Sequence, residues 1–182
     1  AFEAARSALQ RVVDETGQDV LIVKASDALG EIAYRQDDLA AAAQYFKTAI
    51  DSGEPKEPPL DHAHYRLGCI HQRSGRWADA DLHFQRVAYG FPDSELTELA
   101  GQRSGARHWT IQAGAFTERS NAVAGTRLFP IAGPKPFVEP VIRDGDQHFL
   151  LMVGRWTTYE PAEAALPSVR QIKPDAFLTV VR

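Results

Sequence analysis

The apolar positions of the chain follow a helical period in the first half and an alternating period in the second. Residues 1–103 carry apolar residues three and four positions apart, which is typical of amphipathic helices. Residues 108–182 contain short runs in which apolar and polar residues alternate, which is typical of strands. The sequence therefore predicts an all-helical domain at 1–103, a polar linker at 104–107 and a mixed domain at 108–182.

The helical half repeats itself in register. Leu29-Gly30 corresponds to Leu67-Gly68, and each pair is followed at fixed distances by an alanine and a phenylalanine. These later residues are Ala42 and Phe46 in the first copy and Ala80 and Phe84 in the second. Such a pattern predicts antiparallel helix pairs, because the small residues allow close approach and the large ones fill the space between helices. It resembles the tetratricopeptide repeat, which implies a helical solenoid whose groove binds protein partners.

The second half has the predicted order βαββαβ. Its strands are HWTIQAGAF, KPFVEPVIRDG, QHFLLMVGRW and DAFLTVVR, and its helices are ERSNAVAGTRLF and YEPAEAALPSVRQI. Asp144-Gly145 predicts a tight hairpin between the second and third strands, and Pro140 favours an edge position or a bulge for the second strand. This order predicts a ferredoxin-like or RNA-recognition-like sandwich, in which one sheet face packs on two helices and the other is bare.

Alternation along the strands predicts which side chains lie on the bare face. We expect Ile111, Ala113, Leu151, Val153 and Leu178 to face the helices. The residues expected on the bare face are Thr110, Gln112, Gly114, His148, Leu150, Met152, Phe177 and Thr179. This face combines polar and apolar groups without strong charge, and we expect it to bind a ligand.

The motifs of the second half resemble the SPOR domain over residues 108–182. The resemblance rests on QAGAF, the following Asn121-Ala122 pair, VGRW and the terminal AFLTVV. It implies binding of bacterial peptidoglycan glycan strands that have lost their stem peptides, which accumulate where dividing cells split the septal wall. Three positions depart from the family pattern: Leu150 replaces an arginine, Arg155 replaces a proline, and Gly125 stands where a leucine is common.

Side-chain chemistry completes the candidate glycan site. The amides of Gln112 and Asn121 can donate to and accept from hydroxyl and N-acetyl groups, and aromatic rings can stack on sugar C–H faces. Arg155 is the candidate partner for the lactyl carboxylate that loss of the stem peptide exposes. The full set of candidates is Gln112, Phe116, Thr117, Asn121, His148, Leu150, Arg155, Trp156 and Phe177. Two alternatives stay open: Asn121 as the cap of a helix starting near Ser120, and Phe116 as a core residue.

Charge and hydropathy exclude other classes of function. Residues 1–107 carry 12 basic and 17 acidic side chains, and residues 108–182 carry 8 and 7. Neither half has the large excess of basic side chains that is typical of a nucleic-acid-binding protein. No apolar run approaches the roughly 18 residues needed to span a bilayer, so we expect no membrane insertion by this segment.

Neither a metal site nor a catalytic site is expected. His62 and His64 point to different helix faces, while His64 and His71 share a face without a cysteine or carboxylate to complete a ligand set. No phosphate-binding loop or nucleophile elbow is present, and Cys69 lies where the repeat needs a small buried residue.

Taken together, the sequence predicts a non-catalytic periplasmic protein without cofactors. It would bind denuded glycan through a SPOR-like domain and protein partners through tetratricopeptide-like repeats. The alternative is an assembly scaffold whose SPOR-like sheet face binds a protein rather than glycan.

Overall fold

A computed structural model describes residues 2–54, 57–130, 132–143 and 145–182. The chain divides into two compact units. The helical unit runs up to Gln72 and continues over Arg76–Gly105, and the sheet unit contains Arg73–Gly75 and Ala106–Arg182. None of the described helices is both long enough and apolar enough to cross a membrane.

The described residues of the helical unit form six helices. They are α1 (Phe2–Glu15), α2 (Asp19–Arg35), α3 (Leu39–Ser52), α4 (Leu60–Arg73), α5 (Trp77–Gly90) and α6 (Thr97–Arg103). The helix pairs α2–α3 and α4–α5 are the two copies of the repeat. The last helix begins at Thr97, after turns at residues 92–96 in which the Ser94 hydroxyl accepts a hydrogen bond from the Leu96 N–H.

The glycine–phenylalanine spacing of the repeat has the same structural cause in both copies. A Cβ atom on Gly30 would lie 2.6 Å from the Phe46 ring, and one on Gly68 would lie 2.6 Å from the Phe84 ring. Both phenylalanines are completely buried. The second helix of each pair therefore presses its aromatic ring directly onto the backbone of the first, as the sequence predicted.

The sheet unit has the predicted βαββαβ order. Its elements are β1 (His108–Phe116), α7 (Arg119–Thr126), β2 (Pro136–Arg143), β3 (Asp146–Trp156), α8 (Tyr159–Arg170) and β4 (Phe177–Val181). The strands form one antiparallel sheet in the order β2-β3-β1-β4, so the strand that contains Pro140 is an edge strand, as expected. Arg143 pairs with Asp146, and Gly145 has a φ of 86°, which fits the predicted hairpin; Asp144 lies outside the described residues.

One face of the sheet forms the core with both helices. Ile111, Leu151 and Val153 pack with Val169 of α8, and a Cβ atom on Gly125 of α7 would lie 2.8 Å from Leu151. Phe116 packs against the same cluster, which confirms its reading as a core residue. The side chains on the other face of the sheet therefore point away from α7 and α8.

A β-bulge changes the predicted alternation along β1. Gln112 pairs with Met152 but Gly114 pairs with Leu151, so Ala113 is an extra residue in β1. After the bulge, each residue of β1 lies on the face opposite to the one that simple alternation predicts. Gly114 therefore lies on the helix side of the sheet, with Leu151. The expectation that Gly114 faces outward was therefore wrong.

Candidate functional site

Four residues lie in register across the sheet, on the face opposite the helices. Phe177 pairs with Gln112, Gln112 pairs with Met152, and Met152 pairs with Phe137, which gives one residue from each strand. We call these four residues the outer row. Paired residues of antiparallel strands share a face, so the outer row is a continuous line of side chains with the Gln112 amide next to apolar neighbours. Phe177 is 48% exposed, whereas Met152 is buried.

A second bulge brings Arg155 to the outer row. Ile111 pairs with Val153 and Trp109 pairs with Trp156, so β3 gains one residue in this interval. The guanidinium carbon of Arg155 lies 4.3 Å from the centre of the Phe137 ring, and its Nη2 lies 4.0 Å from Glu139 Oε2. The Arg155 side chain is half exposed.

An open groove of about 650 Å³ lies beside this arginine. Its lining consists of Pro134, Lys135, Pro136, Phe137, Gly154, Arg155 and Trp156. The groove therefore combines two basic side chains with two aromatic rings. Phe137 belongs to both the groove and the outer row, so the two features form one continuous surface.

Gly154 positions the wall of the groove. Its φ is 72°, and a Cβ atom there would lie 2.1 Å from the Trp156 ring. Only glycine fits this combination of left-handed backbone and close ring contact. Trp156 also packs against the core cluster, so its ring joins the groove to the interior of the sheet unit.

Several other candidates lie away from the outer row. Asn121 and Thr117 are exposed, in α7 and in the segment before it. Asn121 is the third residue of α7, whose N-cap position is Glu118, so the alternative that it caps the helix was wrong. Because α7 covers the helix side of the sheet, Asn121 does not join Gln112.

The remaining two candidates are on β3. Leu150 points away from the helices, as expected, but it is only 4% exposed, between its partners Ala115 of β1 and Glu139 of β2. It therefore offers a ligand little surface. His148 is half-buried beside Val141, four residues along β3 from Met152. Thr110, also expected on this face, is fully buried, and its hydroxyl donates to the Gly154 carbonyl.

Phe137, Glu139 and Lys135 were not among the sequence candidates. A two-residue hairpin fixes the pairing of both strands that leave it. Counting back from the pair of Arg143 and Asp146 places Phe137 opposite Met152 and Glu139 opposite Leu150, as the structure shows. The hairpin signal at Asp144-Gly145 was thus sufficient to identify the two β2 residues.

Three histidines meet between α4 and α5 of the helical unit. The Nδ1 atoms of His64 and His83 are 3.0 Å apart, and the rings of His71 and His83 stack with their centres 5.2 Å apart. Burial lowers the pKa values of His64 and His83 from 6.5 to about 4, and it also lowers the pKa of His71. Among the described residues, no group of histidine, cysteine, aspartate and glutamate side chains has an arrangement that could hold a metal ion.

The single cysteine is part of the helical core. Cys69 packs with Ala80, Phe84 and Val87, as its place in the repeat predicted. Burial raises the pKa of its thiol, which keeps it protonated at neutral pH and poorly nucleophilic.

Charged side chains join the two repeats of the helical unit. Asp27 Oδ1 of α2 lies 2.8 Å from Nδ1 of His62 on α4, and Nη2 of Arg66 on α4 donates to Glu31 Oε1 of α2 at 3.0 Å. The Arg66 guanidinium also lies 4.7 Å from the centre of the Tyr34 ring. Asp27, Glu31 and Tyr34 therefore contribute to contacts between α2 and α4.

Comparison with protein-family models gives two matches. Residues 105–179 match the SPOR domain, and residues 62–94 match the tetratricopeptide repeat. No curated protein and no solved structure matches the chain. The matches confirm the resemblance: the chain contains a SPOR domain preceded by a tetratricopeptide repeat. The first indicates peptidoglycan binding in the cell envelope, the second indicates interaction with proteins, and both are binding domains.

Proposed function

We propose that this chain, which carries a SPOR domain and a tetratricopeptide repeat, is a non-catalytic protein of the bacterial periplasm that binds peptidoglycan glycan strands lacking stem peptides. Such strands accumulate at the division septum, where the protein would act. The helical unit would bind a protein partner and bring it to the wall.

The observation that carries this proposal is the outer row. A sugar presents hydroxyl and N-acetyl groups at its rim and C–H groups on its faces. The Gln112 amide can donate and accept hydrogen bonds with the polar groups. The rings of Phe177 and Phe137, on the two edge strands, provide apolar surfaces for the C–H groups.

The shape of the row favours an extended ligand. Its four residues come from four neighbouring strands, and three interstrand spacings of about 4.8 Å give a length of about 14 Å. A chain of sugars can lie along such a line and contact each strand in turn. Single-stranded RNA is a poorer match, because the two rings lie on the edge strands, with Gln112 and Met152 between them, and do not form a stacking platform on the central strands.

Co-sedimentation of the whole chain with purified sacculi tests the proposal. Sacculi treated with an amidase that removes stem peptides are compared with untreated sacculi. We expect clear enrichment on the treated sacculi. Gln112→Ala should weaken this binding about fivefold to tenfold, since one neutral hydrogen bond contributes about 1 kcal/mol.

Gln147→Ala is the matched control, because Gln147 is an exposed amide at the hairpin end of β3, outside the outer row. It should bind like the wild type. Equal binding to both kinds of sacculi, or none to either, would contradict the proposal. The outer row would then be a protein-binding surface of an assembly scaffold.

A further inference from the structure

Basic charge at the outer row is concentrated at one end. Arg155 and Lys135 both line the groove beside Phe137, and Lys135 is exposed. Glu139 is the acidic side chain in contact with Arg155. The central position of β3 holds Leu150, which is apolar and buried, so it supplies no charge to a ligand.

The geometry of Arg155 suits recognition of an anion. Its guanidinium carbon lies 4.3 Å from the centre of the Phe137 ring, a cation–π contact that keeps the group beside the groove. The distance of 4.0 Å to Glu139 is too long for a direct hydrogen bond. This contact therefore attracts the guanidinium without occupying its planar fork of N–H donors, and that fork matches the two oxygens of a carboxylate.

Loss of the stem peptide creates such a carboxylate. In an intact strand the lactyl group of the muramic acid residue is joined to the peptide as a neutral amide. Hydrolysis of this amide releases the peptide and leaves a lactyl carboxylate with a full negative charge. The stripped strand therefore differs from the intact strand in charge as well as in size.

We propose that the groove beside Phe137 binds this lactyl carboxylate through Arg155, and that Glu139 is the competing carboxylate that partly neutralises the guanidinium when no ligand is bound. The inference rests on the proposed function and adds the reason for selectivity: the protein recognises stripped glycan by its charge. A glycan that lies along the outer row reaches Arg155 because Phe137 belongs to both surfaces.

The test compares two soluble glycan oligosaccharides prepared from the same stripped sacculi. One keeps its free carboxylates, and in the other they are coupled to methylamine as neutral amides. Binding of the whole chain to each is measured by titration calorimetry. We expect the wild type to bind the carboxylate form about tenfold more tightly, since hydrogen bonds to charged groups are stronger than neutral ones.

Three variants show which side chains cause the preference for the carboxylate form. Arg155→Gln should lose most of the preference for the carboxylate form and bind the amide form as the wild type does. Glu139→Gln removes a negative charge that competes with the ligand, so it should bind the carboxylate form severalfold more tightly. Arg143→Gln is the control, because Arg143 is an exposed arginine of β2 that lies at the hairpin end and outside the groove. It should keep the preference.

The outcomes separate this inference from the proposed function. If the wild type binds both forms equally well, recognition by charge is overturned while glycan binding stands. The same conclusion follows if Arg155→Gln weakens binding of both forms to the same extent. If neither form binds, glycan binding itself is overturned and this inference with it. Circular dichroism of each variant establishes that it is folded.

Discussion

At the residue scale, the candidate surface depends on one glycine. Gly154 has a left-handed backbone at the bulge of β3, and the Trp156 ring lies directly over it. This arrangement turns Arg155 toward Phe137 and closes one wall of the groove. A side chain at position 154 would have to move the tryptophan, and the groove would change shape.

Gly154→Ala should destabilise the sheet unit more than Gly145→Ala does. Both glycines have positive φ, so each alanine costs about 1–2 kcal/mol of backbone strain. A Cβ atom on Gly145 meets nothing within 4 Å, but one on Gly154 would clash with Trp156. This clash should add about 1–3 kcal/mol of overpacking.

Urea unfolding followed by tryptophan fluorescence measures both variants. Equal losses of stability for the two variants would show that the ring contact at Gly154 has little energetic weight.

The identity of individual site residues was only partly predictable. Gln112 and Phe177 lie on the expected face, because strand alternation holds over short segments. Arg155 reaches the outer row only through the bulge of β3, which alternation does not predict. Gly114 was misplaced because a bulge exchanges the two faces and leaves no clear mark in the sequence. Asn121 was treated as equivalent to Gln112 because both carry amides, although a helix and a strand place them on opposite sides of the sheet.

At the element scale, the helix pairs of the repeat are held by direct ring-to-backbone contact. Gly68 of α4 and Phe84 of α5 form one such contact, and Gly30 and Phe46 form the other. Phe84 is fully buried among Cys69, Ala80 and Val87, so its ring has little freedom to yield. The spacing of glycine and phenylalanine therefore reflects a packing requirement of the helix pair.

Gly68→Ala should lower the free energy of unfolding by about 1–2 kcal/mol. Alanine gains up to about 1 kcal/mol of helix propensity, but overpacking against Phe84 costs about 1–3 kcal/mol. Gly101→Ala in α6 is the matched control, because a Cβ atom there meets nothing within 4 Å, and it should be neutral or stabilising by up to about 1 kcal/mol. Urea unfolding followed by circular dichroism at 222 nm measures both. A Gly68→Ala protein at least as stable as the wild type would refute the packing explanation.

The cluster of His64, His71 and His83 should make the stability of the helical unit sensitive to acid. Folding lowers the pKa values of His64 and His83 to about 4, through burial and, for His64, the nearby Arg86. The Asp79 carboxylate raises the pKa of His83, whereas His64 and His71 lower it further. Between pH 6.5 and about 4 the unfolded chain binds protons that the folded chain does not. The free energy of unfolding therefore falls as the pH falls through this window. At a pH above 6.5, the protonation of these histidines no longer affects it.

Urea midpoints between pH 7.5 and 4.5, measured by circular dichroism, test this dependence. His83→Gln removes one titrating group from the centre of the cluster, so its midpoint should fall less steeply with acid than that of the wild type. His148→Gln lies outside the cluster and should follow the wild type. Parallel curves for all three proteins would show that the cluster does not contribute to acid sensitivity.

Elements were more predictable than the contacts between them. All four strands and both helices of the sheet unit were found, because each has a clear period and a turn signal at its ends. Phe137 and Glu139 were overlooked because their role depends on pairing across the sheet, which no single strand reveals. The hairpin register would have supplied that pairing.

At the scale of the whole molecule, two binding modules follow each other in one chain. The SPOR domain and the tetratricopeptide repeat were recognisable because their motifs occur in order along the sequence. The surface chemistry that decides the ligand was harder to predict, because the expected central arginine is Leu150 and the basic charge lies instead at the β2 edge of the sheet. The central claim is that the outer row of the SPOR domain binds stripped glycan.

The most direct test of this claim uses Met152, the single methionine of the chain and the centre of the outer row. Labelling with methyl-¹³C methionine gives one protein resonance, next to Gln112 and Phe137 in the sheet register. Stripped glycan oligosaccharides should shift this resonance in a saturable way, and oligosaccharides that keep their stem peptides should not. A resonance that stays in place while calorimetry shows stripped glycan binding would contradict the account, because the ligand would then occupy another surface.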